Sequence, residues 1–433
     1  MLGVGIAALG LALLAGCADA PADPPQDAGR PLADTGSDAG GSDAAQLDAA
    51  PVDGSPADAG DPIGDAAGAR VVRGMVRYED RPYDSGGFTG RLDLRPARAV
   101  AVTLLGGAGA VLAETTTDDG GRFELPHAVP AGTTATVRVR AEAVYAGHGA
   151  RAIDRRGRGQ VYMLESPPFD LDGGADVELL ARADTGVGGA FNIVDVLYSA
   201  FLVYAPHVGP PAPTLEVLWQ AGLPWPCSSC YSDDVIFLGG QVEDTDEYDD
   251  GIILHEVGHY FVDRYSRDTS PGGSHRDRLV DPQLAYAEGL GYFFACMVQG
   301  APLIVDTYLG SNRIMDFEAV TLDGVSRTDF RGTSNGRIDG RLREEIAAGI
   351  LWDAFDGPDA AEPFDRVALG VAGQLEILVG YFGTWPHPDQ GASGIDVADF
   401  LHALVCEAGV PAADAEALAA DRGFPWTAGP CSP

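Results

Sequence analysis

Apolar positions change their period several times along this chain. Residues 2–16 form an unbroken apolar run. Such a run is shorter than the roughly 20 residues a spanning helix needs, and it fits a signal-peptide core. Residues 18–69 show no period: they are Asp, Ala, Gly, Pro and Ser with almost no bulky apolar side chain. That composition cannot offset the entropy of ordering, so it predicts a disordered stalk. From residue 70 the pattern alternates. Val72, Gly74, Val76 and Tyr78 fall on one side of a strand, and 99–105, 111–116, 122–125 and 134–141 read as further strands. Short strands with turn signals between them, such as 117–121, predict a small all-β sandwich over 70–183. Near 184 the period becomes helical: Asn192 reads as a cap, with Asp195 in the first turn, and Ile193, Val196, Leu197, Ala200, Phe201 and Tyr204 share a face. Strands at 215–219 and 235–238 follow, then an acidic loop at 243–250 and a helix from about 250. Beyond it the pattern predicts helices at 284–299, 341–356, 362–380, 396–408 and 412–421. The expected class is α+β and multidomain: 1–17 signal peptide, 18–69 stalk, 70–183 β-sandwich, 184–433 a mostly helical domain.

Charge narrows the partners. The formal charge is −36, with 64 acidic and 28 basic residues, every basic one an Arg. Phosphate backbones need a basic face, so the charge argues against a nucleic-acid partner. The stalk carries eleven Asp and one Arg, a net of −10, so the remainder is acidic too.

The apolar run ends in Leu14-Ala15-Gly16-Cys17, which resembles the lipobox of bacterial lipoproteins. The resemblance implies lipidation of Cys17, and Ala18 after it leans toward the outer membrane or cell surface. Contact with the membrane would then run through the N-terminal lipid only. In an oxidising compartment Cys227-Ser228-Ser229-Cys230 reads as a structural loop disulfide, and Cys406 with Cys431 as a staple for the C-terminal tail. Cys296, in an apolar helical run, reads as buried and free.

The candidate chemistry lies in His255-Glu256-Val257-Gly258-His259. Two histidines four apart project from one helix face and can share a Zn²⁺ ion. Glu256 is rotated by about 100° from that face. It suits a general base acting on a water whose pKa the metal lowers. Zinc needs a third protein ligand. Val262 and Tyr265 exclude the metzincin spacing. Glu288, a lone carboxylate in the apolar helix 285–295, needs a cation partner if buried and is the best candidate; His275 is a rival. The HExxH segment followed by Glu288-Gly289 on a second helix resembles the gluzincins, the thermolysin-like clan of zinc peptidases. The acidic run before the helix, and Ala348-Gly349-Ile350-Leu351-Trp352-Asp353-Ala354-Phe355-Asp356 after it, resemble uncharacterised secreted bacterial members of that kind. The resemblance covers roughly 190–380 and implies one Zn²⁺ per chain on His255, His259 and Glu288, a catalytic Glu256, and a protein or peptide substrate. Family members use Tyr or His as oxyanion donor, and Tyr265, His275, Tyr292 and Tyr308 are the candidates. Tyr292 stands where gluzincins often have the Asp that orients a histidine; its hydroxyl could accept a His N–H more weakly, or Asp249, Asp353 or Asp356 could supply the carboxylate instead. That departure keeps open an alternative: a weak or inactive zinc-stabilised surface binding or adhesion lipoprotein. Thr117, Asp118, Gly121 and Phe123 resemble the transthyretin-like modules of secreted carboxypeptidases. The run 243–250 reads as a solvated loop and helix cap rather than a Ca²⁺ site, since it lacks the EF-hand glycine and terminal Glu.

Overall fold

The alternating stretch that begins at residue 70 forms β1 (Arg70–Asp80), followed by β2 (Asp93–Pro96), β3 (Val100–Leu105) and β4 (Val111–Thr116). Next come β5 (Arg122–His127), β6 (Thr134–Tyr145), β7 (His148–Asp154) and β8 (Asp176–Ala181). This computed structural model describes residues 70–431, except 85, 131, 156–158, 172–174, 276–278, 309–310, 319–320, 323–324, 327–332, 359–361 and 363. The expected signal peptide, lipidated Cys17 and stalk lie outside the described residues. In β6 every second residue is buried, as a strand packed on one face requires. The 117–121 turn is explained locally. Asp118 Oδ1 accepts from Gly120 N and Arg122 N, and Thr117 Oγ1 donates to Ala97 O at 2.6 Å. Gly121 has φ +74°, and a Cβ there would meet Val76 O at 2.4 Å, so only glycine fits.

Helix α1 (Val187–Tyr204) opens the second half, followed by β9 (Leu215–Trp219), β10 (Cys230–Ser232) and β11 (Val235–Phe237). Asn192 does not cap α1, which starts five residues earlier behind Gly186. Its side chain instead donates to Glu247 O and Asp250 Oδ1, at 2.9 and 3.0 Å. Helices α2 (Asp250–Tyr265) and α3 (Pro282–Gln299) follow, then a hairpin of β12 (Leu303–Tyr308) and β13 (Ser311–Asp316) that the helical reading of this region missed. The chain ends in α4 (Glu344–Asp356), α5 (Gly370–Leu375), α6 (Val397–Cys406) and α7 (Ala412–Asp421). Both expected disulfides are present, Cys227–Cys230 and Cys406–Cys431, and Cys296 is free and buried in α3.

The fold is α+β, but hydrogen bonding does not divide at 183/184. One sheet runs β10-β11-β9-β7-β6-β3-β4, with β9 parallel to both β7 and β11. It therefore takes strands from both sides of the expected boundary. A smaller sheet, β8-β1-β2 with β5 also on β1, lies wholly before it. Helix α1 packs on β6, β7 and β1 and also touches α2. Asp195 of α1 takes the guanidinium of Arg98 at 2.7 Å and the hydroxyl of Tyr78 at 3.1 Å. The described residues pack as one compact unit.

Candidate metal centre

Helix α2 carries both histidines on the face that meets α3, and glycines set the spacing of the two helices. A Cβ on Gly258 would stand 3.0 Å from Gly291 Cα, and one on Gly291 would stand 2.8 Å from the His255 ring. Backbones this close let side chains of ordinary length converge. His255 Nε2 and His259 Nε2 are 3.1 Å apart, and they stand 3.3 and 3.4 Å from Glu288 Oε2. These three atoms belong to a group that could hold a metal ion. Four ligands at ~2.0–2.1 Å from a tetrahedral ion lie about 3.3–3.4 Å from one another, so the donor spacing fits zinc.

The electrostatics describe one anion facing two imidazoles. Burial pushes His255 down to about 4. Burial also pulls on His259, but Glu288, Glu256 and Asp268 outweigh it and push that imidazole up to about 9. Burial alone would raise Glu288; the two histidines hold it well below the usual carboxylate range. Glu256 is buried beside them.

His275 arrives from the loop between α2 and α3. Its Nε2 is 3.5 Å from Glu288 Oε2, and its Nδ1 is 2.6 Å from the buried Glu344 Oε2 at the start of α4. Gly289 makes that possible, since a Cβ there would lie 2.6 Å from Glu344 O and from Ala347 Cβ. Burial lowers the His275 pKa, yet the hydrogen bond to Glu344 and the charges of Glu288 and Glu344 leave it raised. The structure thus puts Glu288 in the triplet and His275 at its rim.

The other candidates are placed as follows. Tyr292 lays its ring on that of His255, with centroids 4.3 Å apart. Tyr265 is turned away, accepting from Ala212 N at 2.9 Å and lying 3.2 Å from His148 Nδ1. Tyr308 ends β12, in register with Ser311. Of the three carboxylates expected to orient a histidine, Asp249 is bonded to Thr307 and Asp353 is paired with Arg422. Asp356 lies near Asp353 and Asp365. None is bonded to His255 Nδ1, which is buried without a partner among the described residues. Two residues the sequence reading missed act here. Asp268, half-buried just past α2, exerts its charge on His259, and Glu344 supports His275. Neither carried a signal: one is a loop carboxylate, the other an ordinary first-turn acid of a helix.

Apart from the exposed Glu243, the run 243–250 is not a solvated loop. Asp244, Asp246, Glu247 and Asp249 are all buried, and Asp244, Asp246 and Asp306 form a second group that could hold a metal ion.

No family model and no curated protein matches this chain. Among solved structures, a 9R-lipoxygenase from Cyanothece PCC8801 is similar at 14% identity over 32% of this chain, with a TM-score of 0.15. The chain spans 24% of that protein. A likeness at that level carries no argument about fold or chemistry.

Proposed function

We propose that this chain is a zinc-dependent peptidase of the gluzincin type, with the metal on His255, His259 and Glu288. The observation that supports it is the meeting of three donor atoms, from two helices, at the mutual spacing of tetrahedral zinc ligands. Zinc bound there supplies Lewis acidity toward a water nucleophile and the scissile carbonyl. Glu256 accepts the proton of the attacking water and returns it to the leaving amine. His275, whose Nδ1 is held by Glu344, would donate from Nε2 to the oxyanion of the tetrahedral intermediate. In this reading, residues 184–433 are the gluzincin-like catalytic part and 70–183 a transthyretin-like β addition. Lipidated Cys17 would hold both at the outer membrane or cell surface, acting on protein or peptide substrates.

A second reading, a zinc-stabilised surface binding protein with weak or no activity, is favoured by one observation. The ring of Tyr292 lies against His255, whose Nδ1 lacks the carboxylate that would raise its basicity. One pair of variants separates the readings. Glu256→Gln should keep zinc and lose roughly 10²–10⁴-fold in cleavage of casein or a peptide library. His255→Ala should lose the metal. Wild-type protein with under about half an equivalent of zinc, unchanged by His255→Ala, would end the zinc claim. Cleavage unchanged in Glu256→Gln would end the peptidase claim.

A further inference from the structure

The loop that leads into α2 gathers a second set of donors, all of them oxygens. Asp244, Asp246 and Asp306 each offer a carboxylate oxygen, and the three atoms lie within 4.8 Å of one another. The residues are 2%, 2% and 3% exposed. They come from separate stretches of chain: Asp244 and Asp246 from the loop, Asp306 from β12. The Cys227–Cys230 disulfide loop is hydrogen-bonded to two of them. Ser228 Oγ donates to Asp244 Oδ2 at 3.3 Å, and Ser229 Oγ donates to Asp246 Oδ2.

Asp249 supplies an independent observation. It is the N-cap residue of α2, yet its side chain makes no capping hydrogen bond. It is fully buried and turned the other way. Its Oδ2 accepts from Thr307 N and Thr307 Oγ1, at 2.7 and 2.6 Å, while its Oδ1 has no hydrogen-bond partner among the described residues. Thr307 adjoins Asp306, and its hydroxyl also accepts from Thr245 N at 3.2 Å, between Asp244 and Asp246. Asp249 is therefore fastened to both stretches that carry the triplet, and its charge acts on Asp246. A buried carboxylate oxygen that accepts nothing is costly unless something absent from the polypeptide meets it.

The donor chemistry selects the ion. Zinc and copper sites favour imidazole or thiolate, and neither is in this set. Mg²⁺ keeps most of its water and suits sites with one or two carboxylates. Ca²⁺ takes six to eight oxygens and tolerates irregular geometry. We infer that Asp244, Asp246 and Asp306, with Asp249 beside them, form a Ca²⁺ site that fastens the N-terminal end of the histidine-bearing helix α2 to β12 and the disulfide loop. The site shares no ligand with the His255–His259–Glu288 group and stands whether or not the peptidase reading does.

The test uses the full chain, stripped with chelator, reloaded with zinc and titrated with CaCl₂ in a calorimeter. The expected result is one Ca²⁺ per chain. Melting temperature should rise by about 4 °C at a hundredfold excess over Kd. Asp306→Asn and Asp246→Asn, made separately, should each weaken binding at least tenfold. His255→Ala should leave it unchanged. If either Asn variant fails to fold, the wild type still decides: no heat and no melting shift at millimolar Ca²⁺ would overturn the site. So would Mg²⁺ binding as tight as Ca²⁺, retention in a folded Asn variant, or loss of Ca²⁺ binding in His255→Ala.

Discussion

Gly291 controls how the candidate centre is assembled, although it contributes no side chain to it. Its missing Cβ is the space in which the His255 ring lies, 2.8 Å from where that carbon would be. Gly291→Ala must therefore push the imidazole or part the two helices. Zinc affinity should fall by roughly 10–100-fold, the scale seen when the surroundings of a ligand are disturbed. The helix content should survive, because alanine favours helix more than glycine does. Competition with a chelating dye measures the affinity and circular dichroism the helicity; unchanged affinity would show that the close approach is incidental. The donors themselves were legible in the sequence. A four-residue spacing puts two histidines on one face, and a lone carboxylate in an apolar helix needs a cation. Gly258, Gly289 and Gly291 were not legible as spacers, since a single sequence shows a helical glycine only as a weak point. Glu344 and Asp268 were hidden because their meaning comes from neighbours distant in sequence.

At the scale of elements, α4 carries both Glu344 and the most enclosed ion pair described. Arg422, just past α7, meets Asp353 with two nitrogens and donates to Phe317 O at 2.8 Å. The two side chains are 3% and 0% exposed. Gly349 leaves room for the guanidinium, which a Cβ would approach to 2.8 Å. Removing one partner strands a buried charge. Arg422→Met should cost about 3–5 kcal/mol, whereas the double change with Asp353→Leu should recover most of it. Urea denaturation of both variants checks this, and a single variant within error of wild type would sink it. The helices α3, α4, α6 and α7 were legible because each keeps an apolar face at helical period. The β12–β13 hairpin was not. Ile304, Val305, Asp306 and Thr307 are all buried in succession, so β12 lacks the alternation that announces a strand. That is also why Asp306 was never joined to the acidic run, which without it reads as a loop.

For the whole molecule, the question is what the first 114 residues of the expected two-part body (70–183) do for the second. Alternation located β1, β3, β4, β5 and β6 but not β2, β7 or β8, and it cannot say which strands pair across long separations, because a strand facing either neighbour has the same period. The structure sets β9 between β7 and β11, in register from Leu215 opposite Ala150 to Trp219 opposite Asp154. Residues 184–433 alone would expose that edge and the α1 face covered by β6 and β7. They would also leave Asp195 without Arg98 and Tyr78. An unpaired edge and an uncovered apolar face favour association over folding. Expressed alone, 184–433 should therefore show no cooperative melt, bind apolar dyes and retain little zinc; co-expression with 70–183 should restore both the transition and the metal. A fragment 184–433 that melts cooperatively by itself with a full zinc complement would show that the shared sheet is dispensable. The expected outcome makes the β strands part of the body that holds α1, and through α1 the neighbouring α2, so the centre depends on residues far outside the segment where its ligands lie.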